Sequence, residues 1–106
     1  MIPCICLVQA GQISEKSETV LRSKLDAFTQ KTFGEGAQIS WVAVSKGNGF
    51  TAAKPSSSSI VSVRPHTPVA QEKRAELLHE LCGFWTAETG QSMNEIVGVI
   101  ADPIAN

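Results

Sequence analysis

The sequence predicts an α/β fold of the α+β type, in which two β-α-β units form one four-stranded mixed sheet with both helices on one face. Three observations predict it. An apolar strand, an amphipathic helix and a second apolar strand follow one another, and the order then repeats. A strand–helix–strand unit crosses over right-handedly and makes its two strands parallel. The strands are apolar on both faces, which calls for cover on both sides of the sheet. At 106 residues the chain is a single domain, with halves of about 1–45 and 59–106 joined by a loop at 46–58.

Each element has a local reason. Ile2 to Val8 is almost uninterruptedly apolar, and Pro3 is tolerated at a strand start, where a missing N–H costs least. Ser14 is placed to cap the first helix, with Glu15 and Glu18 near its positive end. Val20, Leu21, Leu25 and Phe28 then recur at helical spacing, while Lys16, Arg22 and Asp26 face outward. Gly34 and Gly36 stop the helix, and Ile39 to Val44 makes the second strand, with Trp41 as a core anchor. Residues 45–59 are the long irregular segment, with a turn at Gly47-Asn48-Gly49 and a polar run from Ser56 to Ser59. Connections of this length tend to be functional or mobile. Ile60, Val61 and Val63 make the third strand, and Thr67-Pro68 predicts the start of the second helix. Leu77, Leu78, Leu81, Phe84 and Trp85 form its apolar stripe, and Gly90 stops it. Gly83 costs ~1 kcal/mol against alanine there and is expected to let the helix lie close to the sheet. Ile96 to Ala101 is the fourth strand.

Composition excludes several classes. A formal net charge of −1 leaves no footprint for nucleic acid or an anionic membrane, and no apolar run approaches the ~20 residues of a membrane span. No basic region precedes the apolar start, and three cysteines fit a reduced thiol set, so a cytoplasmic protein is expected. Cys4 and Cys6 share a strand face without a second ligand pair, so they read as core thiols, as does Cys82, and no metal site is expected. The glycines form no phosphate loop, and no cofactor is expected. His79 reads as structural, Trp41 and Trp85 as core, and Lys46 and Lys54 as solvated loop cations. Two helices cover one sheet face only, so the other face is expected to pack against further copies of the chain. Arg64 and His66 lie between a strand end and a helix start, where a carboxylate could meet a guanidinium fork and amide donors.

Asp26-Ala27, Gly47-Asn48-Gly49-Phe50 and Ile60 to Val63, in that order, resemble the cis-3-chloroacrylic acid dehalogenase branch of the tautomerase superfamily. Val61-Ser62-Val63-Arg64-Pro65 is similar to the decarboxylase branch, whose third strand runs into an Arg-Pro pair. The likeness covers nearly the whole chain; the superfamily includes 4-oxalocrotonate tautomerase and macrophage migration inhibitory factor (MIF). It implies a tautomerase/MIF-like fold, a homotrimer, and active sites near the start of the first strand. The family's chemistry uses an N-terminal proline, whose free amine serves as general base or acid.

Here Met1 and Ile2 precede Pro3, whose nitrogen is therefore an amide. A bulky Ile2 should hinder removal of Met1. The resemblance thus puts catalysis on the Met1 α-amine, or on Pro3 once the two preceding residues are trimmed, and puts binding of a small carboxylate on Arg64 and His66. The first-helix histidine of the dehalogenase branch is matched by Phe28, the paired arginines after the third strand by Thr67 and Ala70, and the tyrosine and acid of the last strand by Val99 and, loosely, Asp102. The expected function is an isomerase or lyase on small carboxylate-bearing keto or enol acids, with weak or altered activity because proline is not terminal. A non-catalytic trimeric scaffold of the same family stays open. So does a ferredoxin-like dimeric module for ligand binding or monooxygenation. The long connection between the second and third strands favours the tautomerase strand order, 2-1-3-4, over a ferredoxin-like hairpin.

Overall fold

A computed structural model describes residues 1–51 and 53–104. In chain order the elements are β1 (Ile2–Gln9), α1 (Glu15–Phe33), β2 (Ala37–Val44), β3 (Phe50–Thr51), β4 (Lys54–Pro55), β5 (Ser59–Val63), α2 (Gln71–Thr89), a 3₁₀ turn (Met93–Glu95) and β6 (Ile96–Ile100). The main sheet has the order β2-β1-β5-β6. β1 and β2 are parallel, β5 and β6 are parallel, and the two units meet through an antiparallel β1–β5 pair. This is the expected 2-1-3-4 order of the long strands. The second and third long strands do not pair, so the chain does not adopt the ferredoxin-like arrangement. The connecting segment instead carries a small antiparallel hairpin, β3–β4, which sequence periodicity did not reveal.

Helix α1 starts as expected: the Ser14 hydroxyl accepts from Ser17 N at 3.1 Å, and Gly34 closes it in the left-handed region at φ 76°. Such a φ favours glycine, which lacks the Cβ that would clash. Helix α2 departs from expectation. It begins at Gln71 with Ala70 as an N-cap that makes no side-chain bond, not at Thr67-Pro68. The segment before it stays non-helical, and Val69 packs against the core. Gly83 is also corrected. A Cβ there would meet nothing within 4 Å, whereas one on Gly98 of β6 would lie 3.0 Å from Leu78 Cδ2 and 3.2 Å from Cys82 Sγ. Gly98 is the residue that lets α2 lie close to the sheet.

Alternation along the strands separates the two faces. Ile2, Cys4, Cys6 and Val8 of β1 and Val61 and Val63 of β5 point under the helices, where Leu21, Leu25, Phe28, Leu77, Leu81 and Trp85 complete the buried core. Trp41 is only partly buried. Its ring stacks on Trp85 with centroids 5.8 Å apart, and Arg22 covers it at 5.6 Å, a cation–π contact at the rim of the core. The opposite face carries Ile5, Val42, Ile60, Val97 and Val99, which are 52, 43, 40, 47 and 37% exposed. No helix among the described residues is long and apolar enough to cross a membrane.

Candidate functional site

The antiparallel β1–β5 pair fixes the site. Cys4 faces Val63, and one residue further Arg64 N donates to Pro3 O at 2.9 Å. The start of β1 and the exit of β5 are therefore held side by side by backbone bonds. β1 itself begins on Ile2, whose N–H donates to Gly36 O at 2.8 Å. Ile2 points into the core, so Pro3, the next residue, is exposed on the helix-free side. A cavity of ≈ 480 Å³ opens there, lined by Pro3, Arg64, Pro65, His66, Pro103 and Ile104.

The structure brings Pro3, Arg64 and His66 to this one cleft and holds the Met1 amine elsewhere. The Met1 α-nitrogen lies 3.0 Å from Glu35 Oε1, and His66 Nε2 lies 3.4 Å from Glu35 Oε2 and 3.1 Å from Met1 O. His66 is thus shared by two clefts, the second being lined by Ile2, Thr32, Phe33, Glu35, His66 and Thr67. The hydrogen bond from the α-ammonium holds the Glu35 carboxyl below its ordinary value; desolvation works against this, and His66 adds to the lowering. Glu35 sits between two glycines in a turn, and nothing in the sequence pattern singled it out. Arg74, near the start of α2, was missed for a similar reason, since its spacing reads as a solvated helix face. Its Nη2 donates to Asp102 Oδ1 at 3.0 Å.

The other predicted groups lie away from this cleft. Cys4 and Cys6 are core thiols under the helices. Burial pushes the Cys4 thiol from 9.0 up to about 11 and the Cys6 thiol up to about 12. Thiolate is the reactive form, so both should resist iodoacetamide at pH 8 in the folded protein and react once it is unfolded, as mass spectrometry of the alkylated chain would read. Because folding raises these values, the thiols contribute fully below pH 9 and folding stability falls as pH climbs above it. No group of three or more His, Cys, Asp or Glu among the described residues is placed to hold a metal ion. Phe28 is buried core, packed against Phe84 with ring centroids 6.0 Å apart.

At the far end of β1, the long connection is tied down by amides. Gly47 N donates to Gln9 Oε1 at 3.2 Å, Gln9 Nε2 donates to Ser56 O, and Gln12 Nε2 donates to Ser57 O. Gly49 is required here, because a Cβ would fall 2.8 Å from Ser56 O. Lys46 lines a small cleft with Gln9, Gln12 and Ser57, and Lys54 is exposed on β4. Neither lysine lines the Arg64 cleft.

No protein-family model matches the sequence, and no curated protein matches it. Solved structures do match. Native Ps01740 is 20% identical over 97% of this chain and 95% of its own, with a TM-score of 0.87. A fused 4-OT that forms a symmetric trimer is 17% identical over 98% of this chain and 92% of its own, with a TM-score of 0.82. N1, a member of the cis-3-chloroacrylic acid dehalogenase family, is 10% identical over 98% of this chain and 79% of its own, with a TM-score of 0.85. The duplicated β-α-β sheet, its strand order and these likenesses together show that the chain has the fold of the tautomerase superfamily.

Proposed function

We propose that the chain is a homotrimeric member of the tautomerase superfamily, working in the cytoplasm, whose cleft beside Pro3 binds the carboxylate of a small keto or enol acid. The observation that carries this reading is the meeting of Pro3, Arg64 and His66 in one cavity at the start of β1. Arg64 supplies a planar, permanently charged fork suited to a carboxylate, and His66 supplies a ring nitrogen that can donate or accept. Proton transfer at the α-carbon of a 2-keto acid then needs a base at a fixed place. The Met1 amine is engaged by Glu35, and Pro3 nitrogen is an amide. Activity in the chain that starts at Met1 is therefore weak.

Replacing Arg64 by alanine tests the reading. Loss of a charged hydrogen-bonding partner should weaken calorimetric binding of a 2-keto acid such as phenylpyruvate by about 10- to 100-fold. Unchanged binding would remove the cleft from consideration. The engagement of Met1 by Glu35 also favours a second reading, a non-catalytic trimer that binds carboxylates without turning them over. Ketonisation of phenylenolpyruvate no faster than in buffer, with binding intact, would select that reading over an enzyme.

A further inference from the structure

Two guanidinium groups from different elements converge on one residue of the segment that follows β6. Arg64 Nη1 donates to the main-chain carbonyl of Asp102 at 2.5 Å, and Arg74 Nη2 donates to the Asp102 carboxylate at 3.0 Å. Arg74 is further held by Val69 O, 3.3 Å from the same nitrogen, and its buried Nε has no hydrogen-bond partner among the described residues. The Arg74 side chain is 24% exposed and that of Asp102 78%. The cation is fixed by its surroundings, whereas the anion stands in water. Asp102 is the replaceable partner.

The oxygens held by the two arginines cap a four-carbon unit: carbonyl carbon, Cα, Cβ and carboxylate carbon. A four-carbon dicarboxylate spans the same distance and offers a full negative charge at both ends, where Asp102 offers a neutral carbonyl at one. Arg64 already brings one charge to its bond with the neutral carbonyl, and a carboxylate there adds the opposite charge and a second oxygen for the guanidinium fork. Such a ligand therefore improves on Asp102 at the Arg64 end and matches it at the Arg74 end. Pro103 and Ile104, which follow Asp102, form a wall of the Pro3–Arg64–His66 cleft. Arg64 itself lines that cleft, so the Arg64 end of a ligand in the place of Asp102 lies beside Pro3 and His66.

We propose that Arg64 and Arg74 together form a subsite for a four-carbon dicarboxylate, which Asp102 fills until a ligand displaces it. This rests on the cleft reading above and adds to it a second binding residue, a ligand length and an internal competitor. A site filled by its own chain binds ligand more weakly in proportion to the fraction left open.

Calorimetric titration of succinate and of acetate into the full chain, and into its Asp102→Ala variant, tests the proposal. Succinate should bind the variant about tenfold more tightly than the parent, if the competitor fills the site nine times in ten. Asp102→Asn, which removes the charge but keeps a side-chain oxygen for Arg74, should shift affinity in the same direction by less, since both variants keep the main-chain carbonyl that Arg64 holds. Adding Arg74→Gln to Asp102→Ala should cancel the gain. The subsite is overturned if Asp102→Ala binds succinate no more tightly than the parent, or if acetate binds the variant as well as succinate does. In either case phenylpyruvate binding that still depends on Arg64 would leave the cleft itself standing. If neither chain binds phenylpyruvate or a dicarboxylate, the cleft reading fails and the subsite fails with it.

Discussion

Replacing Ile60 by glutamate should convert the proposed trimer into a folded monomer. Ile60 stands at the middle of the helix-free face, with Leu7 beside it in β1 and Val97 in β6. It is 40% exposed in the single chain, so a glutamate there is solvated and leaves the helix-side core untouched. In the proposed trimer the same carboxylate would be taken out of water against the apolar face of another copy. An unpaired buried charge carries a penalty of several kcal/mol, set against an interface whose driving force is the covering of apolar area at ~25 cal/mol per Å². The charge wins at micromolar concentration. Light scattering should report a trimer for the parent and a single-chain mass for Ile60→Glu, with circular dichroism unchanged. A parent that is already a monodisperse monomer, or a variant that stays trimeric, would show that this face is not the contact surface.

The fold was legible because its signals are local and redundant. Apolar runs marked the four long strands, and Ser14 carried both a capping oxygen and acidic residues after it. Leu25, Phe28, Leu77, Leu81 and Trp85 recurred at helical spacing and are all buried. Where two local signals competed with tertiary packing, packing prevailed. Thr67 and Pro68 can open a helix, yet the chain from 64 to 70 is used to carry Val69 from the end of β5 into the core, and α2 starts only afterwards. Gly83 and Gly98 look alike in sequence, and only the placement of α2 over β6 decides which one needs to lack a Cβ.

The cleft was half legible. Arg64 and His66 were marked by their place between a strand and a helix, and Pro3 by the family resemblance. Glu35, Arg74 and Asp102 acquire their partners from elements 28 or more residues away in sequence, and no periodicity encodes such a meeting. The resemblance places reactivity on the Met1 amine or on a trimmed Pro3. The pairing of the Met1 amine with Glu35 depends on the turn after α1 returning to the start of β1, a consequence of the Ile2–Gly36 backbone bond that pattern reading does not supply.

Removing Met1 and Ile2, so that Pro3 becomes the first residue, should raise enol ketonisation by about 100-fold, within the range general acid–base groups supply, while making the protein markedly less stable. The gain follows from position. Pro3 already lines the Arg64 cleft, and its nitrogen, freed from the amide, becomes a secondary amine with a reference value near the α-amino range of about 7.7 to 8.0. Its ring fixes that nitrogen where a flexible Met1–Ile2 start cannot, and misplacement by about 1 Å can cost on the order of 100-fold. The loss follows from burial. Ile2 is 1% exposed and anchors β1 to Gly36, so its deletion costs about 2–5 kcal/mol, as for other large core truncations. For a domain of this size that lowers Tm by roughly 8–20 °C. Calorimetry and a phenylenolpyruvate assay at 15 °C, where the shortened chain is expected to stay folded, separate the two effects. A folded, shortened protein no more active than its parent would show that the cleft lacks the remaining groups for proton transfer, and would leave it as a carboxylate-binding site alone.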